Sequence, residues 1–350
     1  MDESQDALSI DHVRFYVADA NSSAAELVQR YGFEVVARDL EGHSVAVGLG
    51  DIVLVMTEGV TDEHPASTFV QLHGDGVADI ALRTTDIRRT FDDAAAGGAR
   101  VIAEPATVDG CVTAMIAAFG DVVHTLVQRP PDGGNDRCPP TLRPAQPEST
   151  VAGRSPGLGR LDHLAVCLPP GELEPTVDFY RSALGFRMIY EERIVVGSQA
   201  MNSQVVQSPS GDVTLTLFEP DTSRDPGQID EYVKENGGPG VQHIAMTSQD
   251  IVDSVTDLRE RGVTFLDTPD SYYDLLPGRL TLASHTVDEL RGLDILADSD
   301  HHGQLFQIFT RSVHPRRTFF FEIIERLGAR TFGSGNIKAL YEAVEMERRS

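Results

Sequence analysis

Apolar and polar positions follow one pattern twice along the chain. Ile10 to Asp19 (IDHVRFYVAD) alternates loosely and predicts a strand. In SSAAELVQRYGF, Ala25, Leu27, Val28 and Tyr31 fall near helical spacing and Gly32 is a natural C-terminal stop, so a short helix is expected. EVVAR, HSVAVGLG and DIVLVMTE then read as three strands separated by turn residues. A second unit starts at Gly76 to Asp86 (GVADIALRTTD), passes through a helix in IRRTFDDAAAGGA, and continues as strands in VIAEP, CVTAMIAAF and DVVHTLVQR. Residues 130–157 are dense in Pro, Gly and polar side chains with no apolar period, which predicts a linker between a first domain, 1–129, and a second, 158–350.

The pattern then restarts. Leu161 to Glu192 parallels the opening strand and helix, and Val241 to Pro269 parallels the second unit. Four units of the type βαβββ are therefore expected. This is an α+β architecture in which curved sheets pair as two pseudo-symmetric half-barrels around central cavities. The second half carries additional segments around Ser223 to Gly240 and Tyr272 to Asp300. At the C-terminus Ile337, Leu340, Tyr341 and Val344 form a one-faced helical stripe, with Asn336 a candidate N-cap.

One stretch breaks its own pattern. Thr318 to Ile324 reads as a buried strand, yet Glu322 sits in its middle. A buried carboxylate is costly unless paired, protonated or metal-bound, although an edge strand with Glu322 facing water is the plainer alternative. The repeat supplies partners. His163 and His243 are each the third residue of the first strand in their units, and so occupy equivalent places. Two imidazoles and one carboxylate from separate strands make a set that suits Fe(II) with open positions. The first half is a control: its matching positions are His12, Asp79 and Thr125, and Thr125 is a poor replacement for a carboxylate. That half is expected to be free of metal, and Phe319, Phe320 and Phe321 to form cavity wall. His301 and His302 are a second, weaker metal-like pair.

Composition narrows the functions. The net charge of -25 disfavours binding to nucleic acid. No run of about 18 apolar residues exists, so no membrane span is expected. Cys111, Cys138 and Cys167 are scattered and lack C-x-x-C spacing; with an acidic N-terminus unlike a signal peptide, a cytoplasmic location is expected.

LDHLAV, AMNSQVVQS, GVQHIAM, GQLFQIFT, FFFEIIER and FGSGNIKALYEAVE together resemble the 4-hydroxyphenylpyruvate dioxygenase family, over nearly the whole chain. The resemblance implies the vicinal-oxygen-chelate fold, Fe(II) held by His163, His243 and Glu322, and 4-hydroxyphenylpyruvate and O2 as substrates. It also implies a pocket lined by Ser203, Gln228, Gln242, Gln307, Phe309, Phe320, Phe332 and Asn336, and it allows a homo-oligomer. Where ring-hydroxylating members read P-x-N-E-P and G-N-F, this chain has Thr216 to Pro220 (TLFEP) and Gly335 to Ile337 (GNI). Thr216, Phe218 and Ile337 resemble the branch that hydroxylates the benzylic carbon, giving 4-hydroxymandelate, which generally serves peptide-antibiotic synthesis. A homogentisate-forming dioxygenase, and a non-catalytic binding protein of the same fold, are the alternatives.

Overall fold

The computed structural model of the protein describes residues 7–131, 137–145 and 156–338. The first half builds strands β1 (Ser9–Val17), β2 (Glu34–Arg38), β3 (Ser44–Leu49), β4 (Ile52–Glu58), β5 (Gly76–Arg83), β6 (Val101–Val108), β7 (Cys111–Ala117), β8 (Val123–Gln128) and β9 (Arg143–Pro144). They form one sheet in the order β6-β7-β8-β5-β1-β4-β3-β2-β9. The second half builds β10 (Leu158–Cys167), β11 (Arg187–Val196), β12 (Gln199–Gln207), β13 (Thr214–Pro220), β14 (Gly240–Ser248), β15 (Leu296–Asp300), β16 (Gly303–Phe309) and β17 (Phe320–Leu327), in the order β11-β12-β13-β10-β14-β17-β16-β15. Leaving β9 aside, the two orders are the same. Each sheet is a pair of βαβββ units joined where their first strands run antiparallel, β1 against β5 and β10 against β14.

The segment expected to link the halves is not without structure: Arg143 and Pro144 add a short edge strand to β2. A helix at Pro65–His73, outside the repeats read from the sequence, matches Gln228–Asn236 of the second half. The region around Ser223 to Gly240 therefore has a counterpart after all. The helices Asp270–Arg279 and Val287–Gly292, between the second unit's helix and β15, have none among the described residues.

Alternation assigns each sheet face. On β1, Val13, Phe15 and Val17 enter the apolar core, while His12, Arg14 and Tyr16 turn to the opposite face. The helices Ala20–Tyr31, Ile87–Ala96, Leu173–Leu184 and Ile251–Glu260 cover the core faces with their buried stripes. Asp19, Asp86 and Asp250 cap three of these helices by accepting backbone N–H bonds in the first turn. Helices Ile87–Ala96 and Leu173–Leu184 bring the halves together at Gly97, where any Cβ would overlap the Ser182 carbonyl. One apolar cluster runs through both halves.

That cluster corrects the expectation for the three phenylalanines. Phe319 meets Phe15 edge-on at 5.0 Å, and Phe321 meets Tyr31 at 5.1 Å, so both join the core shared with the first half. Only Phe320 turns toward Glu322, because a strand sends alternate side chains to opposite faces. Asn336 is also not an N-cap. The helix already includes Ser334, and Asn336 lies within its first turn. Its side chain bonds to Tyr272 instead. Of the expected terminal stripe, Leu340, Tyr341 and Val344 lie outside the described residues.

Candidate metal centre

The antiparallel junction of β10 and β14 positions the two histidines. His163 stands opposite Ala245, and His243 opposite Ala165, so the pair is related by the local two-fold axis. Strand β17 runs parallel to β14 and sets Glu322 beside Ala245. One oxygen of Glu322, Oε2, lies 3.4 Å from His163 Nε2 and 3.3 Å from His243 Nε2. Two ligands each about 2.1 Å from one ion can lie up to about 4.2 Å apart, so both separations suit shared coordination. All three residues are buried. The edge-strand alternative for Glu322 is thereby excluded: it is 3 % exposed.

The same symmetry shows what stands in a fourth position. Thr216 on β13 is beside Ala165 just as Glu322 is beside Ala245. Thr216 is thus the two-fold counterpart of Glu322, a buried hydroxyl facing a carboxylate across the axis. Two imidazoles and one carboxylate converge, and the fourth direction carries no strong ligand. The donor set fits a divalent first-row ion with room for exogenous ligands.

Outside this set, the two histidines are supported unequally. His163 Nδ1 bonds Asp162 Oδ1 at 2.8 Å. Asp162 is gripped in turn by Arg326, whose Nε and Nη2 each donate at 2.8 Å. Burial opposes its charge, but the Arg326 and His163 bonds prevail and hold the Asp162 carboxyl well below the usual carboxylate range. A carboxylate accepting from Nδ1–H leaves the Nε2 lone pair for a metal. The counterpart of Asp162 is Gln242, whose amide oxygen lies 3.4 Å from His243 Nδ1.

The protonation preferences follow. Burial works against a charged imidazole at His163, but the Glu322 charge and the Asp162 bond outweigh it and push the pKa up to about 9. His243 moves the other way: burial dominates over its bond to Glu322. Glu322 falls to about 2, since the attraction of both histidines exceeds the cost of burial.

Aromatic rings close the site. Phe320 stacks on His243 at 5.0 Å, Phe309 meets the same ring edge-on at 5.9 Å, and Phe332 meets His163 edge-on at 5.2 Å. Two buried amides are incompletely bonded. Gln307 Oε1 and Asn336 Nδ2 have no hydrogen-bond partner among the described residues. The two amides belong to one region of the wall: Gly333, whose carbonyl accepts from Asn336 N–H, lies so close to the Gln307 amide that a Cβ there would overlap it. The Tyr272 hydroxyl donates to Asn336 Oδ1 at 2.7 Å and accepts from Ala297 N–H, which leaves the Asn336 amide N–H as the unused group.

The other residues singled out from the sequence divide. Ser203 is buried on β12, in register with Phe218 on β13. Phe218 and Ile337 both pack against one satellite apolar cluster, of Cys167, Ile194, Met201, Ile229 and Tyr232. Gln228 is exposed, at the first turn of its helix. His301 and His302 lie in an exposed turn.

The first half repeats this frame without the carboxylate. His12 bonds Asp11 at 2.8 Å, and Arg129 grips Asp11 through two nitrogens, as Arg326 grips Asp162. Thr125 occupies the Glu322 position and donates to Asp79 Oδ2 at 2.6 Å. A different cluster, Asp250, His285 and Glu325, also brings donors together. There Glu325 accepts from Ile251 N–H at 2.8 Å, as Gln128 does from Ile87 N–H in the first half, so its place is explained by tying a helix end to the sheet.

Sequence reasoning missed Asp162, Arg326 and Tyr272. The first two had a visible signal: the dipeptide Asp-His, and an Arg four residues after the Thr125/Glu322 position, occur in both halves, at Asp11-His12 with Arg129 and at Asp162-His163 with Arg326.

Comparisons agree with this geometry. Residues 6–135 match the family model described as hydroxyphenylpyruvate dioxygenase, N-terminal, and residues 160–276 match the glyoxalase/bleomycin resistance protein/dioxygenase superfamily, whose curled sheets are the ones described above. The chain is 35% identical to a 4-hydroxyphenylpyruvate dioxygenase of Coccidioides posadasii, over 97% of this chain and 92% of that protein. It is 33% identical to the one of Dictyostelium discoideum, over 97% of each. Among solved structures it is similar to a triple mutant of 4-hydroxymandelate synthase from Streptomyces coelicolor, with a TM-score of 0.87 and 40% identity over 98% of this chain and 100% of that one.

Proposed function

Since the chain belongs to the 4-hydroxyphenylpyruvate dioxygenase family, we propose that it decarboxylates 4-hydroxyphenylpyruvate oxidatively with O2 and hydroxylates the benzylic carbon, giving 4-hydroxymandelate and CO2. It is a non-haem iron dioxygenase. His163, His243 and Glu322 would hold the Fe(II). When bound there, the ion supplies Lewis acidity toward the 2-oxo acid and redox chemistry toward O2.

The chain's own residues supply position. Asp162 fixes the His163 ring so that Nε2 faces Glu322. Phe309, Phe320 and Phe332 stand against the two histidines and would offer apolar ring surface to the aromatic ring of the substrate. A phenol is both donor and acceptor, so the substrate hydroxyl can pair Gln307 Oε1 and Asn336 Nδ2, both buried and without a partner among the described residues.

The observation that carries the product assignment is that Phe218 and Ile337 both pack against one satellite cluster, of Cys167, Ile194, Met201, Ile229 and Tyr232. Both are side chains in which this chain departs from the ring-hydroxylating pattern, and Cys167, in register with Phe218, follows Ala165 on the cavity face of β10. An apolar wall with neither an amide at 218 nor a flat ring at 337 lets the substrate ring swing and present its CH2 group. A displacement of about 1 Å suffices to redirect such a step. The competing reading, ring hydroxylation to homogentisate, is favoured by the names of the fungal and slime-mould relatives.

The test is iron-dependent O2 uptake with 4-hydroxyphenylpyruvate, followed by chromatography of the products. We expect 4-hydroxymandelate as the main product. Predominant homogentisate would overturn the assignment, and no uptake would favour a binding protein.

A further inference from the structure

The first half forms an open cavity of about 770 Å³ on the face of its sheet that corresponds to the triad face of the second. Ligand pockets typically span about 300–1,000 Å³, so its size is that of a small-molecule site. Three consecutive outward-turned residues of β1, His12, Arg14 and Tyr16, line it. Phe69, Ile102 and Met115 add apolar wall.

Arg14 is the unusual member. Its counterpart in the metal-binding half is Ala165, by the register of β1 on β5 and of β10 on β14. The chain has 54 Asp and Glu against 29 Lys and Arg, yet Arg14 makes no ion pair among the described residues. Asp79 stands opposite it in register, but both Asp79 oxygens accept from Thr125, through N–H at 2.9 Å and Oγ1 at 2.6 Å. Arg14 Nη1 donates to Thr57 Oγ1 at 2.8 Å, and Thr57 is bonded in turn to Ser44 at 3.0 Å. The guanidinium is therefore held in place with most of its donors unused. His12 is similarly oriented: Nδ1 is taken by Asp11, which leaves Nε2 on the cavity side.

We propose that this cavity is a second binding site, for a small aromatic carboxylate. The carboxylate would take the free edge of the Arg14 guanidinium, whose planar fork matches two oxygens. The ring would lie against Phe69, Tyr16 and Met115. Asp79, on the neighbouring strand, limits affinity through its charge. No metal takes part, since the Glu322 position is Thr125. The site is separate from the catalytic one, and its occupancy does not depend on which product the enzyme makes.

The test uses full-length protein with [13C-methyl]methionine, free of metal, titrated with phenylacetate. Met115 lines this cavity, whereas Met201 packs against the Phe218 wall of the other half, so the two methyl resonances distinguish the sites. We expect saturable movement of the Met115 signal in the wild type. In Arg14→Gln the affinity read at Met115 should fall tenfold or more, with Met201 behaving as in the wild type. Asp79→Asn should tighten binding at Met115 and serves as the check should Arg14→Gln fold poorly. A Met115 signal that stays still at saturating phenylacetate, moves equally in Arg14→Gln, or weakens in Asp79→Asn would overturn the proposal.

Discussion

Asp162 and Gln242 hold the same place in the two units of the second sheet, each immediately before a histidine of the triad, and only Asp162 is charged. Asp162 lies 2.8 Å from His163 Nδ1 and is clamped by Arg326, whereas Gln242 lies 3.4 Å from His243 Nδ1. The two histidines are therefore supported differently despite their symmetry. Removing the carboxylate behind a metal-bound histidine typically weakens metal binding by about 10–100-fold. Asp162→Asn should do so here, while Gln242→Ala should change metal affinity by less than about threefold. Titration of both variants with Fe(II) under anaerobic conditions reads the difference. Asp162→Asn should also lower the melting temperature, because Arg326 loses its buried partner.

Metal uptake should depend on pH through His163. Its pKa in the metal-free protein is about 9, so near neutrality the imidazole carries a proton that an entering ion must displace. Affinity should rise about tenfold per pH unit from pH 7 to 8 and level off above about 9. The same shift bears on stability of the metal-free form with the opposite sign. A folded-state pKa raised from 6.5 stabilises fully below 6.5, and this contribution is lost as pH rises through about 9. Calorimetric metal titration at several pH values, with thermal melts of the metal-free protein alongside, checks both slopes.

The fold was largely legible because each βαβββ unit carries its own apolar period, and the units repeat in order. The convergence of His163, His243 and Glu322 was legible for the same reason, since a repeat makes equivalent positions comparable. Phe319 and Phe321 were not. In a strand buried on both faces, composition does not say which face meets the cavity, and here Phe319 and Phe321 meet Phe15 and Tyr31 of the other half. Asn336 was misread as a cap because Asn is a good N-cap in isolation, whereas its partner, Tyr272, lies 64 residues away in sequence. Interactions of that separation leave no local trace.

Gln307 and Asn336 should separate substrate recognition from folding. Gln307 is 1 % exposed and its Oε1 has no partner among the described residues, so Gln307→Leu removes a buried polar group whose Oε1 makes no hydrogen bond there. The melting temperature should change by no more than a few degrees. With 4-hydroxyphenylpyruvate, KM should rise about tenfold, because a phenol loses its partner; with phenylpyruvate, which has no phenol, KM should hardly change. Steady-state kinetics with the two substrates reads the split, and an equal effect on both would remove Gln307 from phenol recognition.

Ile337→Phe tests the wall that sets the product. Ile337 and Phe218 both pack against a small cluster that is separate from the main core, so a larger ring at 337 must push on that cluster rather than on the main core. Overpacking of this kind typically costs about 1–3 kcal/mol, which the protein should tolerate with a lowered melting point. The new ring would stand where the substrate ring swings, and should return the ring carbon bearing the side chain toward the triad. Ring-hydroxylated product should therefore increase relative to 4-hydroxymandelate, at a reduced total rate. Adding Phe218→Asn relieves the crowding and restores an amide at that position, so the double variant should recover stability and move further toward ring products. Chromatographic product ratios for the single and double variants decide this: unchanged ratios in both would place the selector away from Phe218 and Ile337.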